Sequence, residues 1–89
     1  MSDVQPEQLK RLVRENIRAR RLNLGLSQGA ICDRVNAKRR RKDPQMHVPY
    51  LSDVENGVRS PSLEIIAELA EALETTPEWL VSEPEKIPA

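Results

Sequence analysis

The run Tyr50-Leu51-Ser52-Asp53-Val54-Glu55-Asn56-Gly57, continued by Arg59-Ser60-Pro61-Ser62-Leu63, holds a short helix, its stop signal and the start of another helix. Leu51 and Val54 lie about one turn apart, so they read as the buried side of a helix from about Val48 to Asn56. Gly57 terminates it, because glycine enters the left-handed conformation that closes helices at little cost. Ser60-Pro61-Ser62 resets the chain, and Leu63, Ile66, Ala67, Ala70 and Leu73 then mark the inner stripe of a fourth helix. Glu64, Glu68, Glu71 and Glu74 take much of its outer side.

Upstream, Leu9, Leu12, Val13 and Ile17 follow the spacing of one helical face, with Lys10, Arg11, Arg14, Arg18, Arg20 and Arg21 mostly around the other sides. They define a first helix, roughly Pro6 to Asn23. Gly25 closes it, and Ser27 caps a second helix that starts near Gln28 and buries Ile31 and Val35 with Cys32 beside them. Where this second helix ends is open on sequence alone. Lys38-Arg39-Arg40-Arg41-Lys42 are good helix formers, whereas Asp43-Pro44 signals a turn. Downstream, Thr76-Pro77-Glu78 opens a short fifth helix carrying Trp79 and Leu80. Nothing alternates as a strand does. The expectation is an all-α, compact five-helix domain over residues 1–82, with 83–89, including Pro84 and Pro88, as a flexible tail.

With 89 residues, no Phe, one Trp and one Tyr, the chain can build one modest core, mainly from Leu, Ile, Val and Ala. Cys32 has no second cysteine to pair with, and Met1 to Gln8 lack the features of a secretion signal, so a cytoplasmic location is expected, without membrane attachment. The net charge of zero hides a polarity: Met1 to Ser60 carry 13 Lys and Arg against 7 Asp and Glu, a net of +6, and Pro61 to Ala89 carry −6. One half can face a polyanion while the other keeps the molecule soluble or meets a partner. An ordinary charged surface with an accidental split fits the same counts.

The blocks Gly25-Leu26-Ser27-Gln28 with Ile31-Cys32 and Val35, then Tyr50 to Gly57 with Arg59-Ser60-Pro61-Ser62-Leu63, resemble the lambda-repressor-like, Cro/C1-type helix-turn-helix family over about residues 8 to 81. The resemblance implies a transcriptional regulator that sets its third helix into the major groove of duplex DNA. Gln28, just after the Ser27 cap, is then a phosphate contact. A helix N-terminus with its unpaired N–H groups suits an anion without any analogy, and Ser27 also has a plain capping role. The exposed candidates for base edges are His47, Val48, Tyr50, Ser52 and Asp53, with Pro49 outward among them. Val48 suits a thymine methyl, and Asp53 a cytosine amino group. Tyr50 has a second reading, packing on the second helix. Asn56 and Arg59 resemble family positions that bind phosphate. Glu55 serves the fold by pairing with an arginine of the first helix. Arg18 and Arg21 stand open between that pair and phosphate contact.

The chain departs from its relatives in the turn. Val35 to Leu51 spans 16 positions where the family leaves roughly seven, an insertion of about nine, and Asn36 stands where a glycine is common. Met46 falls on a buried aliphatic position, so Met46, Leu51 and Val54 are left to hold the third helix by packing. The insertion, residues 37–46, contains Lys38, Arg39, Arg40, Arg41 and Lys42. These five cations form either an auxiliary arm on flanking phosphates or a solvated helix end.

Enzymatic function is not expected. His47, Ser52, Asp53 and Cys32 include the residue types of a catalytic triad, but nothing in the spacing sets nucleophile, base and orienter together, and one Cys with one His is too few for a usual zinc site. No cofactor is implied. The leading expectation is a repressor acting on a palindromic operator in double-stranded DNA as a homodimer. Its self-association would use Trp79, Leu80, Val81 and Ile87, with a core role as the other reading of Trp79. The alternatives are an antitoxin-like module whose acidic half masks a basic partner, and an architectural protein with little sequence preference.

Overall fold

Two structural devices in the turn between the second and third helices, a side-chain clasp and a buried methionine, set the position of everything downstream. The computed structural model describes residues 5–83, which form α1 (Pro6–Asn23), α2 (Gln28–Ala37), α3 (Val48–Glu55), α4 (Leu63–Ala72) and α5 (Pro77–Leu80), with no strand among the described residues. Of the tail 83–89, residues 84–89, and Ile87 with them, lie outside the described residues.

Each of three helices opens on a hydroxyl that accepts an otherwise unpaired backbone N–H. Ser27 Oγ takes it from Ala30 at 3.0 Å, Ser62 Oγ from Ile65 at 3.2 Å and Thr76 Oγ1 from Trp79 at 3.1 Å. Gly57 has φ +79°, a conformation that favours glycine, whereas the Arg14 guanidinium 2.7 Å from a Cβ placed there is the end of a flexible side chain that can move aside. The core gathers Val13 and Ile17 of α1, Ile31, Cys32 and Val35 of α2, Met46, Leu51 and Val54 around α3, Leu69, Ala70, Ala72 and Leu73 of α4, and Leu80. Each fully buried aliphatic side chain contributes about 1.5–3 kcal/mol. Burial also pushes the Cys32 thiol up, which keeps it protonated and inert.

Two expected stripes shift. On α4, Leu63 is 81% exposed and Ala67 is exposed, while Leu69 and Ala72 take the inner places. Leu63 borders a groove beside α1 and Ala67 lies beside the insertion, positions that periodicity alone does not separate from the true face. On α1, Leu9 is 42% exposed and the inner face instead continues through Asn16 and Arg21, both polar. Asn16 is buried because its amide donates to Leu80 O at 2.9 Å and Ser82 O at 2.8 Å, tying the end of α5 to α1.

The helical reading of the basic run does not hold. Helix α2 stops at Ala37, and Lys38 to Gln45 form an irregular loop. Its base is closed by Asn36, whose Nδ2 donates to Met46 O at 2.9 Å and whose Oδ1 accepts from Met46 N–H at 2.7 Å. Inside the loop, Asp43 N–H donates to Arg40 O at 2.9 Å and Arg39 Nη1 to Pro44 O at 2.7 Å. The excursion therefore leaves and returns at one point, and Met46, 4% exposed, enters the core as expected of it. Lengthening a loop about twofold costs only about 0.6 kcal/mol of closure entropy, and a single net hydrogen bond of about 0.5–1.5 kcal/mol offsets that.

Replacing Asn36 with Ala removes both bonds and strands the backbone groups of Met46 without a partner. We expect a loss of about 1–3 kcal/mol in urea unfolding, with faster amide exchange at Met46. Asn36→Gly, which restores the residue common in relatives, recovers nothing, because the amide is what closes the loop.

Candidate nucleic-acid interface

Helix α3 is fixed from behind by a buried ion pair. Arg21 Nε and Nη2 donate to the two carboxylate oxygens of Glu55 at 2.8 and 2.9 Å, and the Glu55 side chain is 1% exposed. Arg21 also donates to Leu26 O at 3.0 Å, and Gln28 Nε2 to Glu55 Oε1 at 3.1 Å. The Glu55 hydrogen bonds raise the Arg21 guanidinium above its ordinary value, against the opposing effect of burial. The pairing expected of Glu55 thus goes to Arg21, and Arg18 stays exposed. Because the pair is bidentate and joins α1, α3 and the first turn of α2, it sets the rotation of α3 about its own axis.

That rotation turns Leu51, Val54 and Glu55 inward and leaves a continuous outer face. His47, Val48 and Pro49 are exposed at its leading end, and Tyr50, Ser52 and Asp53 are half-exposed behind them. His47 caps α3 by backbone conformation without a side-chain bond. The first turn of α2 sits beside this end, since a Cβ on Gly29 would lie 3.8 Å from both Ser27 Oγ and Val48 Cγ2. The structure thus brings Ser27 and Gln28 together with Val48. Asn56 is exposed with its amide donating to Ser52 Oγ at 3.3 Å.

Tyr50 is half-buried against the core, but its neighbours come from the insertion and α4 rather than from the second helix on which it was expected to pack. It lies with Met46, His47, Arg39 and Ile65 of α4 around one shallow cleft. Arg59 reaches back along α3, placing its guanidinium carbon 5.8 Å from the Tyr50 ring centre and its Nε 3.7 Å from Asp53 Oδ2.

The five-cation run divides. Arg39 Nε and Nη2 grip both oxygens of Glu68, at 2.9 and 2.5 Å, and Lys38 Nζ meets Glu71 at 2.7 Å. With Arg34 on Glu74 at 2.9 Å, these pairs form a three-rung ladder joining α2 and the insertion to α4. Arg40 makes a loose 3.9 Å pair with Asp43, and Arg41 and Lys42 are exposed. The acidic side of α4 is therefore largely engaged from within. Arg34 and Arg20 also donate to the last carbonyls of α4 and its cap, Ala72 O, Leu73 O and Glu74 O, where the helix dipole is negative. Sequence reasoning missed this ladder and the Asn36 clasp. The signal for the ladder was present in Glu68, Glu71 and Glu74 at three-residue spacing with cations at 34, 38 and 39. Trp79 is half-buried and Leu80 fully buried, so these two of the residues expected for self-association belong to the core, and Val81, 39% exposed, stays outside among the described residues.

The chain matches the Cro/C1-type helix-turn-helix family over residues 17–80 and belongs to it. It is therefore a DNA-binding protein of the transcription-regulator class. Among solved structures, it is similar to the hypothetical transcription factor NHTF from Neisseria, at 24% identity over 97% of this chain and 90% of that one. The TM-score is 0.73, a shared fold. No curated protein matches it in sequence. Among the described residues, no helix is long and apolar enough to cross a membrane.

Arg39 holds the Glu68 carboxyl below its usual value, chiefly by hydrogen bonding. A carboxyl depressed in the folded state adds stability above its unfolded value near 4.5, and that stability is lost as pH falls through the depressed folded value. Thermal unfolding from about pH 3 to pH 7 should therefore show a shallower acid decline for Glu68→Gln than for the parent, with the two curves converging at the acid end.

Proposed function

We propose that this protein is a sequence-specific repressor that lays α3 into the major groove of a two-fold symmetric operator as a homodimer. The observation that carries the reading is the leading end of α3. His47, Val48 and Pro49 stand free there beside the first turn of α2, while the opposite side of α3 is locked to α1 by Arg21 and Glu55. A groove about 12 Å wide admits one helix, and only the residues at such an end reach base edges. Val48 meets a thymine methyl, and His47, Tyr50, Ser52 and Asp53 offer polar contacts to base edges. Ser27, Gln28 and Asn56 take phosphates, and Arg40, Arg41 and Lys42 extend those contacts to the flanks. Lys38 and Arg39 stay on α4, so the arm is shorter than the five-residue run. Repression is the outcome that needs only occupancy of the operator.

Homodimer formation follows from the short reading length of one helix, since two copies about 34 Å apart give useful specificity. The face that a second copy would cover is largely apolar. Leu9, Leu63, Ile66 and Val81, with Lys10, Arg14 and Arg59 also lining it, border a groove of about 200 Å³ between α1, α4 and the chain after α3. Val58, 71% exposed, belongs to that same stretch after α3. The antitoxin-like alternative has less support, because the carboxylates a basic partner would need already hold Arg34, Lys38 and Arg39.

Selection from random duplex DNA should enrich a palindromic motif; enrichment without a motif would favour an architectural role, and no retention would end the DNA reading. With the selected site, the Arg40→Ala, Arg41→Ala, Lys42→Ala triple variant should flatten the slope of log affinity against log salt by about 0.9 for each phosphate it no longer neutralises. An unchanged slope rejects the arm. Leu63→Glu, at a largely exposed position, should leave the melting temperature within about 4 °C and shift the sedimenting species from dimer to monomer.

A further inference from the structure

Arg59 occupies a family position that suits a phosphate, yet its side chain lies along the reading face of α3. Gly57, in the left-handed conformation, turns the chain back on itself, and the N–H groups of Val58 and Arg59 both donate to Asp53 O, at 2.8 and 3.2 Å. The Arg59 side chain then runs beside α3 and meets both the Asp53 carboxylate and the face of the Tyr50 ring. We propose that Arg59 is a specificity-determining positioning residue. It neutralises Asp53 and holds its carboxylate and the Tyr50 ring in the orientation from which they read bases. The inference rests on the groove-binding reading of α3.

The physical need follows from charge. An aspartate on a surface that approaches a polyanion is repelled by every nearby phosphate. Without compensation it would turn away from the base edge. Arg59 approaches Oδ2, leaving Oδ1 for a cytosine amino group. In the free protein the pair is weak, because both side chains are well exposed, 60% for Arg59 and 43% for Asp53, and water screens them. Docking on a duplex excludes that water and strengthens both the ion pair and the cation over the ring. The arrangement thus has little effect on folding and its full effect in the complex.

The test measures affinities of the full chain for the selected operator and for its variants with each base pair changed in turn, at several salt concentrations. Arg59→Ala should leave the melting temperature almost unchanged and reduce the preference at one or two adjacent positions by roughly five- to tenfold, with other positions unaffected. Asp53→Asn should lose the preference at the same position, and adding Arg59→Ala to it should change that preference no further. Arg59→Lys keeps the charge but not the planar group that meets carboxylate and ring together, so it should lose the preference as Arg59→Ala does, with the salt slope close to the parent's in both variants. An even loss of affinity across all sequences, with a slope lower by about one, would make Arg59 a phosphate contact and overturn the proposal. Recovery of the base preference by Arg59→Lys would overturn it as well. If the parent chain holds no duplex at all, the reading of α3 itself falls, a result distinct from either of these.

Discussion

The Asn36 side chain closes the loop that would otherwise separate two helices meant to act as one unit. Relatives hold their second and third helices at a set angle by keeping the turn between them short. Here about nine extra residues intervene, and the amide of Asn36 restores the short path by bonding both backbone groups of Met46. The course of the chain between Ala37 and Gln45 then has no bearing on where α3 begins, because the helix starts from a fixed point. Met46, buried just before the helix, converts that fixed point into a packed one.

The Arg21–Glu55 pair does a different job. A buried ion pair contributes little net stability, since desolvation takes back most of what the attraction provides, but removing one partner leaves a costly unpaired charge. Its value lies in direction. Two parallel hydrogen bonds admit one orientation of α3, whereas the aliphatic contacts of Leu51 and Val54 would tolerate several. Gln28 joins the same carboxylate, so the first turn of α2 and the back of α3 answer to one group.

Charge in this molecule is organised more by pairing than by halves. The +6 and −6 read along the chain suggest two opposed surfaces, yet in space the acidic row of α4 faces the cations of α2 and the insertion across a narrow gap. The rungs differ in strength. Arg39 and Glu68 are the least exposed and bidentate, while the Lys38 and Arg34 pairs sit largely in water and hold less. Arg40, Arg41 and Lys42, exposed in the loop and outside that ladder, are among the cations a polyanion can reach without breaking any of its rungs.

Local chemistry wrote much of this fold into the chain. Ser27, Ser62 and Thr76 each cap a helix, Gly25 and Gly57 each close one, and all these signals act through backbone groups a few residues away, so no distant partner is needed to read them. The outward residues of α3 were legible for the same reason, because Leu51 and Val54 define its inner side by spacing alone. Tertiary structure decided what depends on partners far along the chain: that Leu63 lies outside and Leu69 inside, that Asn16 is buried, that Lys38 and Arg39 turn to α4, and that Asn36 replaces a missing glycine by closing a loop. Periodicity reports which residues share a face, and it carries no information about which face a neighbour covers or which charge waits across the gap.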